Sequence, residues 1–424
     1  MIRVLLEELD LRHYLRPGDG VVTSQGTAEP LTLTEALVAQ GEAIGPLSIF
    51  LGSASFADTF TPERHGGHRL LTYGAAGGHR ALVKAGLMAV IPAHVSLLPS
   101  FIGTAIPCDV AMIQVAGPDA DGLYSYSLSS DYTVEAVSRA RVVIAECNRR
   151  GPVTRCETRL DPGEIDVLVE SDRPLPQMPR AAPGALDMAI ARHVAGYIED
   201  RATLQIGYGA IPEAIIATLG DRRDLGLHTG VIGDSVVDLI EGGTITNAHK
   251  EVNPGISVTG ALWGTDRLYR FVDRNPDILL SRIIHTHSAE TLGRLSRLVA
   301  INGAIEVDLT GQVNAEQVGN AYLGAVGGQV DFIRAGARSA SGAGIIALAS
   351  TAQDGKISKI VPRLNGPVTT ARSDVDVIAT EHGAVRLRGL PLAERARLMI
   401  GLAAEPFREA LAGEARAMFG PGWR

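Results

Sequence analysis

The stretch ATLQIGYGAIPEAIIATL (202–219) decides the reading of the fold. It opens as a short apolar run, breaks at Gly207-Tyr208-Gly209 and resumes with apolar residues at helical spacing around Pro212. A short apolar run closed by glycine reads as a buried strand, and proline suits a first helical turn, where its missing N–H is no loss. Strand, glycine loop and helix together form the unit of a parallel sheet covered by helices. The same order occurs in GDGVVTSQGTAEPLTLTEALV (18–38), with the helix starting near Pro30. This shared opening fits two related domains and, equally, the ordinary repetition of an α/β protein. VVIAE (142–146), GIIALAS (344–350) and DVIAT (376–380) read as further buried strands, and ARHVAGYI (191–198) and AERARLMIGLAA (393–404) as amphipathic helices. The proline-rich SDRPLPQMPRAAPGAL (171–186) reads as a linker, dividing the chain into 1–175 and 176–424. The expected fold is two α/β domains with open, mainly parallel sheets and a ligand site in the cleft between them.

Composition narrows the function. The 424 residues include 39 Lys and Arg against 47 Asp and Glu, a net charge of −8, with 46% hydrophobic and 20% charged residues. Such a chain can bury a large core, and its mildly acidic balance argues against nucleic-acid binding, which needs a basic face. MIRVLLEELDLRHYL (1–15) carries acids inside its apolar stretch, unlike a secretory signal, and no run of 18 uncharged apolar residues occurs. ALVKAGLMAVIPAHVSLLPSFIG (81–103) reads as helix, loop and strand. Cys108, Cys147 and Cys156 form no C-x-x-C pair, so a reduced, cytoplasmic setting is the expectation.

Several chemistries lack their motifs. There is no G-x-x-x-x-G-K-[ST] loop, no G-x-S-x-G elbow and no H-E-x-x-H. His65-Gly66-Gly67-His68, with His79 beyond, reads as a solvated loop and not a metal site, because glycine leaves the histidines unfixed. Gly207-Tyr208-Gly209 begins like a dinucleotide fingerprint but reaches Pro212 where the last glycine belongs, so NAD is not expected. No metal is expected either. Glycine concentrates in LGAVGGQVDFIRAGARSASGAGIIALAS (323–350). Gly342 and Gly344 fit a turn before a strand. Gly327-Gly328 read better as backbone donors for an oxyanion or phosphate.

Many segments together resemble the acetyl-CoA hydrolase/transferase group of class I CoA-transferases, with the 4-hydroxybutyrate CoA-transferases closest in look. GYGAIPEAI (207–215), DLGLHTGVIGDSVVDLIEGGTITNAHK (224–250), RLYRFVDRNPDI (267–278) and INGAIEVDLTGQVNAEQVG (301–319) carry the resemblance. So do GAVGGQVDFIRAGARS (324–339), SDVDVIATEHGAVRLRGL (373–390), AVIPAHVSLLPSFI (89–102) and DVAMIQVAGPDADGLYSYSLSSDY (109–132). It implies an acyl-CoA bound between two α/β halves, a small acceptor, and an oligomer, with coenzyme A as the only cofactor-like group. It further implies an active-site glutamate that attacks the thioester and passes through a glutamyl-CoA intermediate. Oxyanion and CoA contacts would fall at Gln25-Gly26, at Gly207 and Gly209, and at Gly327-Gly328.

One position departs from the family pattern. In His228-Thr229-Gly230-Val231-Ile232-Gly233-Asp234, Gly230 stands where the resemblance places the glutamate. Glycine cannot be acylated, so the glutamyl route lacks its central group. Glu213 and Glu241 read as helix-end acids, Glu251 as part of a solvated turn, Glu306 and Asp308 as acids with a structural or binding role, and Glu381, after the strand 376–380, is the best spare carboxylate. Alternatively an acceptor attacks the thioester directly, with His228, Asp234 or the Glu381-His382 pair as general base, although Asp234 reads more readily as a helix N-cap before SVVDLI (235–240). Three functions follow: a transferase, an acyl-CoA hydrolase with water as acceptor, or a non-catalytic CoA-binding protein. Gly230→Glu is expected to restore transferase chemistry if the loop geometry accepts it.

Overall fold

The computed structural model describes residues 1–420 and 423. The predicted strand at 202–207 is found as Thr203–Ile206, followed by the helix Ala210–Ala217. Its counterpart near the N-terminus is the strand Gly20–Thr23, followed by the helix Leu31–Ile44, with Pro30 as N-cap. All eight residues of the two strands are buried, as expected of strands covered on both faces.

Two open sheets result. The first has eight parallel strands in the order Ile2–Val4, Val167–Ser171, Val142–Asn148, Val110–Val115, Gly20–Thr23, Ser48–Phe50, Arg69–Thr72 and Met88–Val90. The second has six, in the order Gly226–Leu227, Thr203–Ile206, Leu298–Gly303, Ala343–Ala347, Val377–Thr380 and Gly383–Arg386. Only its last pair is antiparallel, a hairpin closed by Glu381 and His382. The chain is thus α/β with mainly parallel sheets. Short ladders and turns fill the connections.

Local differences from the sequence reading have local causes. Strand Val142–Asn148 runs past VVIAE because Cys147 and Asn148 still pair with Glu170 and Ser171. The helix read at 191–198 is Ala185–Ala195: Asp187 accepts the Gly184 N–H at its start and Gly196 ends it. In 81–103 the order is helix His79–Lys84, strand Met88–Val90, then short helical turns to Phe101, so the strand precedes the loop. The histidine run is not a solvated loop. His68 is buried against Gly41, where Gly66 and Gly67, both with positive φ, turn the segment back, and His79 is buried at the start of its helix with Nδ1 3.4 Å from Thr72 Oγ1. Among the described residues no helix is long and apolar enough to cross a membrane.

Hydrogen bonds stitch the first sheet's connections to those of the second. Ala75 N–H donates to Gly324 O (2.9 Å) and Val95 N–H to Gly327 O (3.0 Å). Thr27 Oγ1 donates to Leu262 O (2.5 Å), Ser130 N–H to Gly260 O (3.0 Å), and Ser96 Oγ to Asp331 (2.7 Å). These contacts place the Gly327-Gly328 turn against the segment 73–96.

Candidate functional site

A cavity of about 580 Å³ lies where these connections meet, drawing walls from both halves of the chain. That size falls within the usual range for small-molecule sites. Six of the sequence-derived positions line it: Gln25, Gly207, Gly209, Gly230, Gly327 and Gly328. Four others do not: Gly26, His228, Asp234 and Glu381.

Two helices start at the cavity wall. Gly209 is the N-cap of Ala210–Ala217, with φ +116° and no side-chain cap, and Gly328 is the N-cap of Gln329–Arg338, also without one. The first N–H groups of a helix have no partner within it and carry the positive end of its dipole. Both uncapped ends therefore present backbone donors to one space, a natural place for an oxyanion or carboxylate. Glycine at 209 follows from its left-handed φ. At 328 the reason is steric: a β-carbon there would stand 2.8 Å from His287 Nε2.

Gly230 sits in the turn after strand Gly226–Leu227, with its carbonyl held by the N–H groups of Gly260 (3.1 Å) and Ala261 (3.0 Å). A β-carbon added there would lie 2.9 Å from His287 Cε1 and 3.0 Å from Nε2. The imidazole of His287 thus occupies the space into which a side chain at 230 or 328 would extend. Its ring packs on Phe332 at 4.7 Å between centroids, and Nδ1 lies 2.7 Å from Thr286 Oγ1. Sequence reading passed over His287 because R-I-I-H-T-H (282–287) belongs to no motif.

The residues placed as bases or donors by sequence are engaged elsewhere. Gly26 N–H donates to Ala54 O (3.1 Å), so it is not a free oxyanion donor. His228 is fully buried with Nε2 3.2 Å from Thr286 O. Asp234 is the first residue of helix Asp234–Glu241, and its Oδ1 accepts from the N–H of Thr265 and Leu268, both at 3.1 Å. Rather than capping its own helix, it anchors the start of the next. Glu381 accepts from Ser350 N–H (2.9 Å) and Oγ (2.5 Å). Glu381 and His382 sit in the hairpin turn and not along a strand, with His382 Nε2 3.6 Å from Glu381 Oε1.

A carboxylate that sequence reading did not single out does line the cavity. Asp131 Oδ2 accepts from Gln25 Nε2 (2.5 Å) and Ser129 Oγ (2.7 Å), and Oδ1 from Thr133 N–H and Oγ1 (3.2 Å each). Burial pushes its carboxyl above the usual range, and the Gln25, Ser129 and Thr133 donors pull it back. Gln25 Oε1 in turn accepts from Ser53 N–H, Ser53 Oγ and Tyr73 OH at 2.9–3.0 Å, which fixes the amide's orientation. Lys359, one of only four lysines in the chain, also lines the cavity, its ammonium 3.2 Å from Ala304 O. Burial lowers its pKa, against the opposing charge of Glu381. Among the described residues no group of three or more His, Cys, Asp or Glu is placed to hold a metal.

Buried histidines give the molecule an acid-sensitive fold. Burial lowers His228 and His287 to about 3 and His79 to about 4, with the Lys250 charge adding to the shift at His228. The unfolded chain takes these protons near pH 6.5 and the folded chain does not until pH 3–4. Their contribution to stability is therefore complete above about pH 6.5 and is lost as pH falls, at up to about 1.4 kcal/mol per pH unit per histidine. Thermal melts between pH 6.5 and 5, above most carboxylate titration, are expected to show a falling Tm with a shallower slope in His228→Gln. Equal slopes would contradict the assignment.

A parallel-stranded α/β chain with two glycine-opened helix ends at one cavity is suited to hold an oxyanion or carboxylate, and similarity to known proteins gives the family. The chain belongs to the acetyl-CoA hydrolase/transferase family, whose C-terminal domain matches residues 264–415. It is 38% identical to a 4-hydroxybutyrate coenzyme A transferase of Clostridium kluyveri over 94% of each chain. It is 32% identical to a succinyl-CoA:cyclohexane-1-carboxylate CoA transferase of Geobacter metallireducens, over 95% of this chain and 93% of the relative. The crystal structure of a 4-hydroxybutyrate CoA-transferase from Porphyromonas gingivalis superposes with a TM-score of 0.82 at 32% identity, covering 98% of each chain.

Proposed function

We propose that the chain binds an acyl-CoA in this cavity and moves the acyl group or the CoA from its thioester to a small acceptor. In this reading 1–175 and 176–424 act as two domains around the site. The observation that carries it is the meeting of two uncapped, glycine-opened helix ends, at Gly209 and Gly328, in one cavity shared by both halves. The thioester carbonyl takes the Gly328–Gln329 end, whose N–H groups receive the charge that develops on oxygen. No carboxylate stands at 230, so the acceptor reaches the carbonyl directly, without a glutamyl intermediate.

A panel of acyl-CoAs, incubated with and without carboxylate acceptors, tests the reading by mass spectrometry of the thioesters and by thiol release. New acyl-CoA formed only with an acceptor means transfer. Thiol release that ignores the acceptor means hydrolysis. A protein that binds CoA but consumes no acyl-CoA is a binding protein, and the enzymatic reading falls. Oligomeric state, which the family resemblance implies, is read independently by light scattering.

A further inference from the structure

The titratable groups that line the cavity differ in one respect. Asp131 has both oxygens committed to four donors, Tyr73 OH donates to Gln25, and Lys359 donates to a carbonyl. Asp187 Oδ2 accepts the Gly184 N–H, and Tyr208, its ring against Trp263 at 4.9 Å, is a phenol that keeps its proton near pH 7. His287 Nε2 makes no hydrogen bond to any described residue. It faces the space beside Gly230 and Gly328, next to the uncapped helix end that would hold the carbonyl oxygen.

Its second nitrogen sets the tautomer. Thr286 Oγ1 lies 3.2 Å from Arg282 O, four residues back in the same turn, and donates its proton there. With that proton directed at Arg282 O, Oγ1 is free to accept Nδ1–H of His287 at 2.7 Å, and the tautomer taken for the proposal, protonated on Nδ1, leaves a lone pair on Nε2. Burial keeps this imidazole neutral near pH 7.

We propose that His287 is the general base of this site, positioned by Thr286, and that the acceptor it serves is water. The inference rests on the reading of the cavity as an acyl-CoA site. In the step, Nε2 takes a proton from water as its oxygen bonds to the thioester carbon. The tetrahedral oxyanion is held by the helix end at Gly328. Its collapse breaks the C–S bond, and the CoA sulfur leaves with the proton carried by Nε2. One water and one thioester give one carboxylic acid and one thiol, with no covalent enzyme intermediate. The negative charge developing beside the ring supports the imidazolium while it carries the proton. Glycine at 230 then has a positive role: it makes room for the ring that replaces a carboxylate nucleophile.

The test uses the full chain with an acyl-CoA that it consumes, in ¹⁸O-labelled water. Expected are one ¹⁸O in the released acid, a kcat lower by about 100-fold or more in His287→Ala and His287→Gln, and a KM within threefold. Added imidazole is expected to restore at least tenfold of the His287→Ala rate, because the space left beside Gly230 and Gly328 accepts it. A purely structural role would not produce that rescue. A folded His287→Gln protein at wild-type kcat would overturn the proposal, as would a loss confined to KM. Turnover that requires a carboxylate acceptor and ignores both substitutions overturns it while leaving the acyl-CoA site in place. A wild-type protein that consumes no acyl-CoA brings down the site reading instead.

Discussion

Gly230→Glu alone is expected to destabilise the protein and to yield no glutamyl adduct, whereas Gly230→Glu with His287→Ala yields one. The simple expectation that a restored glutamate restores family chemistry overlooks what fills the space. A β-carbon at 230 stands 2.9 Å from His287 Cε1, and Phe332 backs the ring, so neither partner yields freely. Overpacking of this kind costs about 1–3 kcal/mol. The backbone itself is no obstacle, since Gly230 is not among the positive-φ glycines. Removing the imidazole opens the space for the carboxylate, which then faces the cavity between the Gly328 helix end and Asp131. The check is urea denaturation of both variants, then incubation with acyl-CoA and trapping with hydroxylamine or borohydride. An adduct in the single variant would show that His287 moves aside. No adduct in a folded double variant would show that position 230 does not address the thioester.

Asp131→Asn is expected to cost about 2–3 kcal/mol, and Gln25→Glu in the same chain to recover most of it. The substitution is isosteric, so the effect is one of hydrogen-bond polarity. Three donors on Gln25 Oε1 prevent the amide from flipping, which aims Nε2 at residue 131. An asparagine that keeps its oxygen toward Thr133 sets its own NH₂ against that Nε2 at about 2.5 Å, two donors with no acceptor. The double variant, with a carboxylate at 25 and an amide at 131, restores one donor facing one acceptor, and Ser129 Oγ becomes the acceptor of the remaining N–H. Urea midpoints of the four proteins form a double-mutant cycle. Additive effects would show that the contact between the two side chains does not hold this wall of the cavity.

Much of the fold was legible in the chain. Strands such as Thr203–Ile206 and Val377–Thr380 are apolar runs closed by glycine or polar residues, and a buried parallel strand requires little else. The prolines of 171–186 mark a stretch without helix or strand: the last strand of the first sheet ends at Ser171 and the next helix begins at Ala185. The candidate site was legible where it is made of backbone. The glycines at 207, 209, 327 and 328 stand out in the sequence and line the cavity, with 209 favouring glycine through its positive φ and 328 because a β-carbon would meet His287. Residues whose role depends on distant partners were misplaced. Asp234 looked like a cap or a base, yet it holds the N–H groups of Thr265 and Leu268 in another helix. Glu381 looked spare, yet Ser350 occupies it.

The sequence by itself determined the α/β architecture, the family, and the absence of a carboxylate at 230, because these depend on local patterning and on the order of motifs. Only the tertiary structure decided what stands in that carboxylate's place. His287 reaches Gly230 and Gly328 by a packing contact between segments far apart in the chain, and no periodicity encodes such a contact. A glycine in a sequence reads as a missing side chain. In the folded protein it is space, and which neighbour fills that space depends on the packing of every element around it.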